Sequence, residues 1–210
     1  MPILALETAT EACSVAIILD DGQVLSHYEY SPRLQTQLLL PMVDELLAEA
    51  GLTASQLTAI AYSCGPGSFT GVRISAAAAQ GLAFGWDLPV LAISSLQTLA
   101  QTAYRLAGYE RVVSIFDARM NEVYVSVYEL ERGLMQALIP ETMCSPDKLP
   151  ELSAEPCYVV GNGGIYADAI QRQWTVKAIQ TDMYPHAYDL AVLAQAAWQK
   201  GRAQAPELAL

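Results

Sequence analysis

Charge is scarce in this sequence. Only 16% of its 210 residues are Asp, Glu, Lys or Arg, against roughly 25% in an average soluble domain. So little charge solvates little surface, which points to a face covered by another chain or to a compact Ala-rich core. Positive charge is scarcest. Eleven Lys and Arg stand against 22 Asp and Glu, a formal net charge of −11, and the basic residues are scattered. Nucleic-acid binders neutralise phosphates with a basic patch. Direct tRNA or DNA binding by this chain alone is therefore not expected, and a partner must supply the positive surface. Histidine is nearly missing: His27 and His186 are the only two. Neither lies in a His-x-x-x-His pair, which argues against a zinc hydrolase, and no Ser–His or Cys–His arrangement is indicated. Cys13, Cys64, Cys144 and Cys157 lack CxxC spacing, so they read as reduced thiols rather than zinc ligands, redox pairs or a disulfide framework. The apolar run Ile74–Trp86 is shorter than the roughly 20 residues a membrane span needs. Nothing at the N-terminus has the basic start and apolar core of a signal peptide. The expected compartment is the cytoplasm, with no membrane association.

What is plentiful is apolar residues, 53% of the chain, enough for one large domain or two small ones. Ile3–Leu6, Cys13–Leu19 and Val24–Tyr30 read as an antiparallel meander with a hairpin turn at Asp20-Asp21-Gly22. Gln35–Ala50 reads as a helix ended by Gly51, with Pro41 kinking it or marking its first turn. Leu57–Ser63 is the next strand. A glycine-rich loop at Gly65–Gly71 leads to a helix from Val72 to about Gly85. Pro89–Ile93 is a strand and Ser95–Ala107 a helix. The pattern then restarts. Val113-Ser114-Ile115-Phe116-Asp117 aligns with Ile3-Leu4-Ala5-Leu6-Glu7, and Val125-Ser126-Val127 with Val15-Ala16-Ile17. Cys157–Val160, Gly161-Asn162-Gly163-Gly164 and a following helix echo the strand, loop and helix around Gly65. A final helix covers Leu190–Gln199. An internal duplication predicts an α/β chain of two similar lobes. They span residues 1–107 and 108–210, with the last helix free to pack back on the first lobe.

Gly65-Pro66-Gly67-Ser68-Phe69-Thr70-Gly71-Val72-Arg73 is the sharpest motif. Backbone N–H groups at a helix start attract anions, so Gly65, Gly67, Ser68, Thr70 and Arg73 are candidates for weak anion or nucleotide contacts. The competing reading is a tight strand–helix connection capped by Ser68 or Thr70. A Walker lysine is missing, since Val72 follows the last glycine. A nucleophile elbow is excluded because Pro66 and Thr70 flank Ser68 at the required positions. Glu7 and Asp117 end equivalent strands. Such acids can hold a metal–phosphate complex, but each can equally satisfy backbone donors of its own turn. No catalytic residue and no metal ligand is assigned. The helix after the glycine loop has small residues on every face and no charge from Ile74 to Trp86. The apolar arc on Gln35–Ala50 is wider than one sheet contact needs. Together the two helices suggest a partner interface. It would comprise Leu38, Leu39, Met42 and Leu46 of the first helix and Ile74, Ala77, Ala78 and Gly81 of the second.

These motifs resemble the TsaB family, also called YeaZ, over essentially the whole chain. The resemblance is carried by Glu7-Thr8-Ala9-Thr10-Glu11-Ala12-Cys13-Ser14-Val15-Ala16, Leu40-Pro41-Met42-Val43, Gly65–Ile74, Ala79-Gln80-Gly81-Leu82-Ala83, and Asp117-Ala118-Arg119-Met120 with Glu122-Val123-Tyr124. It implies the actin/Hsp70/sugar-kinase (ASKHA) fold of two ribonuclease-H-like lobes. It also implies a non-catalytic, scaffolding and activating role beside a sibling transferase, TsaD. With a TsaE-type ATPase, the pair forms N6-threonylcarbamoyladenosine at position 37 of ANN-decoding tRNAs. Transfer RNA would be met only through the complex. Because the exposed helix pair is apolar, the isolated chain would use it to form a homodimer. No cofactor would be intrinsic, and ATP or ADP would bind within the assembled complex. The sibling's metal-binding histidines have no counterpart in Pro32-Arg33-Leu34-Gln35-Thr36-Gln37. Ser75 stands where members commonly have glycine, which loosens a close helix contact. The alternative from the residues alone is a stand-alone ATP-dependent phosphotransferase or ATPase of the same fold.

Overall fold

In the computed structural model, residues 1–209 are described, and the chain divides into two units. Unit 1 is Met1–Thr98 together with the chain from Pro185 onward, and unit 2 is Leu99–Tyr184. The boundary thus differs from the expected one between 107 and 108. It falls within a helix rather than at the Gly108 loop, and the last helix belongs to unit 1.

Unit 1 opens with β1 (Ile3–Glu7), β2 (Ala12–Ile18) and β3 (Val24–Tyr30), an antiparallel meander. Gly22 turns the second hairpin at φ +84°, where a side chain is disfavoured, and the Asp21 carboxylate accepts the Gln23 N–H at 2.9 Å. Helix α1 (Gln35–Ala50) ends at Gly51, whose left-handed backbone returns its N–H to the carbonyls of Leu47 and Ala48. Pro41 lies in the second turn with its ring exposed, not in the first turn. Next come β4 (Ala59–Ser63), α2 (Phe69–Trp86), β5 (Val90–Ile93) and α3 (Ser95–Ala107), which carries the chain into unit 2. The sheet order is β3-β2-β1-β4-β5, with β4 and β5 parallel to β1.

Every residue of β1, β2 and β4 is buried, so both faces of this sheet are covered. On one face Leu4, Leu6, Val15, Ile17, Ile60 and Tyr62 pack with Leu39, Met42, Val43 and Leu46 of α1 and Ala79 and Ala83 of α2. The last helix of the chain (Ala187–Gln199) packs on β1 and β2, and its Ala187 N–H donates to the buried Ser14 hydroxyl at 2.9 Å.

Unit 2 repeats the plan. Strands β6 (Arg111–Arg119), β7 (Glu122–Glu131) and β8 (Leu134–Cys144) form the meander. Then come β9 (Cys157–Val160), a 3-10 turn at Asn162–Tyr166, α4 (Ala167–Gln173) and β10 (Val176–Gln180). The last helix is therefore α5. The sheet order β10-β9-β6-β7-β8 is unit 1's order strand for strand. The duplicated five-stranded sheet is the internal repeat that the paired acids and glycine loops predict for an α/β chain. Unit 2's core gathers Val113, Ile115, Val125, Cys157, Val159, Ile170 and Trp174. Among the described residues no helix is long and apolar enough to cross a membrane.

Candidate functional site

The glycine loop is built around its own unit's backbone. A Cβ on Gly67 would lie 2.4 Å from the Ala9 carbonyl oxygen, and one on Gly71 would lie 2.1 Å from that of Thr8. Only glycine lets the turn between β1 and β2 come this close. The turn then binds the loop. Ser68 N–H donates to Ala9 O at 2.7 Å, and the Thr8 hydroxyl donates to Gly71 O at 2.7 Å. Ser68 caps α2 by accepting the Gly71 N–H at 3.3 Å. Gly65 is buried at φ +99°. Arg73 donates to Phe69 O at 2.9 Å and lies 3.6 Å over the Phe69 ring, while Thr70 is exposed. Of the residues proposed to meet an anion, Ser68 and Arg73 therefore spend donors within the chain. Gly67, like Gly71, has close approach to the 8–9 turn as its explanation.

Unit 2 uses the same device. A Cβ on Gly161 would meet Ile115 O at 2.4 Å, and Gly163 packs on the backbone of Ile115 and Phe116. Asn162 accepts the Asp117 N–H at 3.0 Å.

The paired acids satisfy their own turns. Glu7 accepts the Ala9 N–H at 2.7 Å, and Asp117 accepts the Arg119 N–H at 3.0 Å. Glu7 is wholly buried, and burial pushes its pKa up to about 7, against opposition from the Ala9 amide and the Ser63 hydroxyl. Its Oε2 has no hydrogen-bond partner. Both histidines are engaged. His27 meets Glu49 at 2.8 Å, and His186 Nδ1 accepts the Tyr188 N–H at 3.0 Å to cap α5.

The outer face of α2 is the second feature. Its buried residues are Gly71, Ser75, Ala79 and Ala83, one stripe at four-residue spacing. Ser75 tightens the contact it was expected to loosen, since its hydroxyl lies 2.8 Å from Ser63 O and 3.0 Å from Val72 O. Phe69, Arg73, Ala77, Gly81 and Phe84 lie on the exposed side. Phe69 is 74% exposed, Phe84 60%, and Leu40 of α1 50%. Between α1 and α2 runs a groove of about 400 Å³, lined by Thr36, Leu39, Leu40, Phe69, Ile74 and Ala77 among others. Of the residues expected at a partner interface, Ala77 and Gly81 are exposed and Leu38, Ile74 and Ala78 half-buried. Leu39, Met42 and Leu46 are corrected: they are buried in the core of unit 1. The wide apolar arc of α1 is consumed by covering its own sheet, and its outward residues include Asp44, Glu45 and Glu49.

A family model described as TsaD, tRNA N6-adenosine threonylcarbamoyltransferase, matches residues 24–207. The chain is 46% identical over 168 residues to the tRNA threonylcarbamoyladenosine biosynthesis protein TsaB of Escherichia coli, covering 78% of this chain and 72% of that protein. It belongs to the TsaB (YeaZ) family. TsaB of Haemophilus influenzae is 45% identical over 172 residues, with the same coverage of each chain. A solved structure described as YeaZ from Pseudomonas aeruginosa superposes with a TM-score of 0.93 at 47% identity, covering 100% of this chain and 97% of that one.

Sequence reasoning about this TsaB-family chain missed two parts of the site. The Thr8–Ala9 turn as the glycine loop's partner has no local signal, because the contact spans some sixty residues. Phe69, Leu40 and Phe84 as the bulky rim of the face were legible. The phenylalanines bracket the exposed Arg73, Ala77 and Gly81 at three- and four-residue steps.

Proposed function

We propose that this chain is a non-catalytic subunit in the formation of N6-threonylcarbamoyladenosine on tRNA, and that it docks on a TsaD-type threonylcarbamoyltransferase. The observation that carries the reading is the outer face of α2. Phe69, Ala77, Gly81 and Phe84 leave it apolar and accessible on a chain of net charge −11. Helices with small central residues pack closely on a partner helix, and large apolar rim residues exclude water. A second copy of the chain occupies the same face when the transferase is missing. Membership of a family whose Escherichia coli and Haemophilus influenzae members are tRNA threonylcarbamoyladenosine biosynthesis proteins supports the pathway.

The stand-alone phosphotransferase reading is less well supported. The Ser68 and Gly71 N–H groups that would greet a phosphate are already bound within the chain. Glu7 is sealed from solvent. His27 and His186 are held by Glu49 and by the start of α5. The acidic surface also supports tRNA contact through the complex rather than by this chain alone.

The test is Ala77→Arg. The position is exposed, so the fold survives, while a buried unpaired charge at a contact costs several kcal/mol. That is enough to abolish a micromolar contact worth about 8 kcal/mol. The expected result is loss of binding to the isolated transferase subunit and a monomeric mass by light scattering, with an unchanged circular dichroism spectrum. Retained binding and mass in the folded variant overturn the reading.

A further inference from the structure

Helix α2 carries one charged residue, Arg73, and is closed by another, Asp87, its C-cap at φ +55°. Each has the sign that its own helix disfavours. The cation lies near the positive N-terminal end and the anion at the negative C-terminal end. Among the described residues, Arg73 holds only Phe69, through its carbonyl and its ring, and the Asp87 carboxylate pairs with no cation. The two stand fourteen residues apart, about 3.9 helical turns and some 21 Å. They therefore share the outer side of α2, and both are exposed. Gln80 lies midway between them, with its amide turned aside to donate to Pro206 O at 3.1 Å. That leaves the exposed Ala77 and Gly81 flanking the midpoint. Beside Asp87 opens a cleft of about 520 Å³, lined by Phe84, Leu88, Gln204, Pro206 and Glu207 among others.

We propose, resting on the docking reading given above, that a second copy of this chain crosses the face antiparallel, α2 on α2 about Gln80, so that Arg73 of each copy enters the other's cleft and pairs with Asp87. The face is complementary to itself. A twofold contact requires that residue i meet j and that j meet i. A cation and an anion equidistant from the centre of one helix face meet that condition when the helices run antiparallel. When they run parallel, like charge meets like. The antiparallel register also sets each charge at the favourable end of the other copy's helix dipole. It lays the exposed Phe84 of one copy over Ala76 and Ala77 of the other, large against small. The cleft beside Asp87 has room for a guanidinium, whose planar fork suits carboxylates, and Glu207 offers a second one. Phe69 holds Arg73 in place, so little freedom is lost on pairing. Two copies of a chain of net charge −11 repel at long range, so their contact depends on local pairing of this kind.

The experiment is a charge exchange in the whole chain, read by analytical ultracentrifugation over a dilution series. In its own dimer Arg73→Asp sets acid against acid twice, and Asp87→Arg sets base against base twice. Each alone is expected to raise the dimer dissociation constant about tenfold or more. Mixed in equal amounts, the two variants recover both attractive pairs. The mixture is expected to associate about tenfold more tightly than either component, and the doubly exchanged chain Arg73→Asp/Asp87→Arg to dimerise in the same way. Arg33, Arg119 and Arg132 already take positive φ in this protein, so arginine fits the cap. Asp87→Asn, which keeps the capping preference and adds no repulsion, should weaken the dimer less. Circular dichroism checks that each variant is folded. Single variants that dimerise like wild type overturn the proposal. So does a mixture no tighter than its components, or a wild type that is monomeric at about 1 mM. The docking reading is tested apart, by binding of wild type and Ala77→Arg to the isolated TsaD-type subunit. If Ala77→Arg loses that binding while the charge exchange fails, the register is refuted and the docking face stands. If Ala77→Arg binds the subunit as wild type does while the charge exchange succeeds, the face serves the second copy and the docking reading fails.

Discussion

Gly71 and Gly81 lie ten residues apart on one helix, and the same substitution should act on them with opposite signs. An alanine methyl at Gly71 would sit 2.1 Å from Thr8 O and 3.2 Å from Thr8 C, both backbone atoms. Contact needs more than a further ångström, so either the 8–9 turn or the start of α2 must withdraw. Withdrawal strains the Thr8 hydroxyl bond to Gly71 O and the Ser68 N–H bond to Ala9 O, each 2.7 Å in length. Overpacking of a rigid site costs about 1–3 kcal/mol, and each strained bond adds up to about 1 kcal/mol. Gly71→Ala is therefore expected to destabilise the chain by roughly 2–4 kcal/mol. At Gly81 nothing lies within 4 Å of the added methyl. There the substitution removes only the conformational freedom of a helix-interior glycine, and it should stabilise by roughly 0.5–1 kcal/mol. Urea unfolding monitored by circular dichroism measures both. A Gly71→Ala variant as stable as wild type would refute the claim that close approach is why glycine stands in this loop. Because a second copy is proposed to cover this face, Gly81→Ala is compared in the monomeric Ala77→Arg background, where a loss of stability would refute the open surroundings of Gly81.

Three further outcomes follow from other sites. The folded Glu7 pKa of about 7, against 4.5 for a free side chain, favours the folded state most below pH 4.5. That advantage is lost as pH rises through 7, a change of roughly 3 kcal/mol. The stability of Glu7→Gln relative to wild type should thus rise by about that amount between about pH 5 and pH 8, and a difference independent of pH in urea unfolding contradicts the buried-acid reading. Leu46→Ala, at a fully buried position, should cost about 2–5 kcal/mol yet leave docking intact under conditions where the variant is folded; loss of docking with an unchanged midpoint would return Leu46 to the interface. Thiol labelling of the native chain followed by mass spectrometry should modify exposed Cys64 first and spare buried Cys13 and Cys157, whose pKa values burial raises; faster reaction at Cys13 would place it outside the core.

Much of the fold was legible where local rules act alone. The bounds of α1 and α3 coincide with the expected spans, since Gly51 and Gly108 both take left-handed backbone just beyond their ends. The duplication was legible from the paired acids and glycine loops, and the shared sheet order bears it out. β8 was missed because Leu134–Cys144 has no clean alternation, contains Pro140 and is largely exposed at the sheet edge. β10 was missed because Val-Lys-Ala-Ile-Gln is short and only half-buried. The division between units falls inside α3 rather than at the Gly108 loop, while α5 joins unit 1, the packing the sequence reading left open to it. The interface residues of α1 were misassigned for a packing reason. A two-sided sheet absorbs more apolar helix surface than a one-sided stripe predicts, and periodicity does not say which side a residue serves.

The return of α5 to unit 1 bears on the order in which the protein is made. When residue 98 has left the ribosome, β1 to β5 are complete, but the face of the sheet that α5 covers is bare. It stays bare while all of unit 2 is synthesised, about 90 residues or some 5–20 seconds at typical elongation rates. Unit 2 is a continuous segment and can close as soon as Tyr184 emerges. The half of the chain encoded first is therefore finished last. During that interval the nascent protein carries an unsheltered apolar sheet, the kind of surface that holding chaperones recognise.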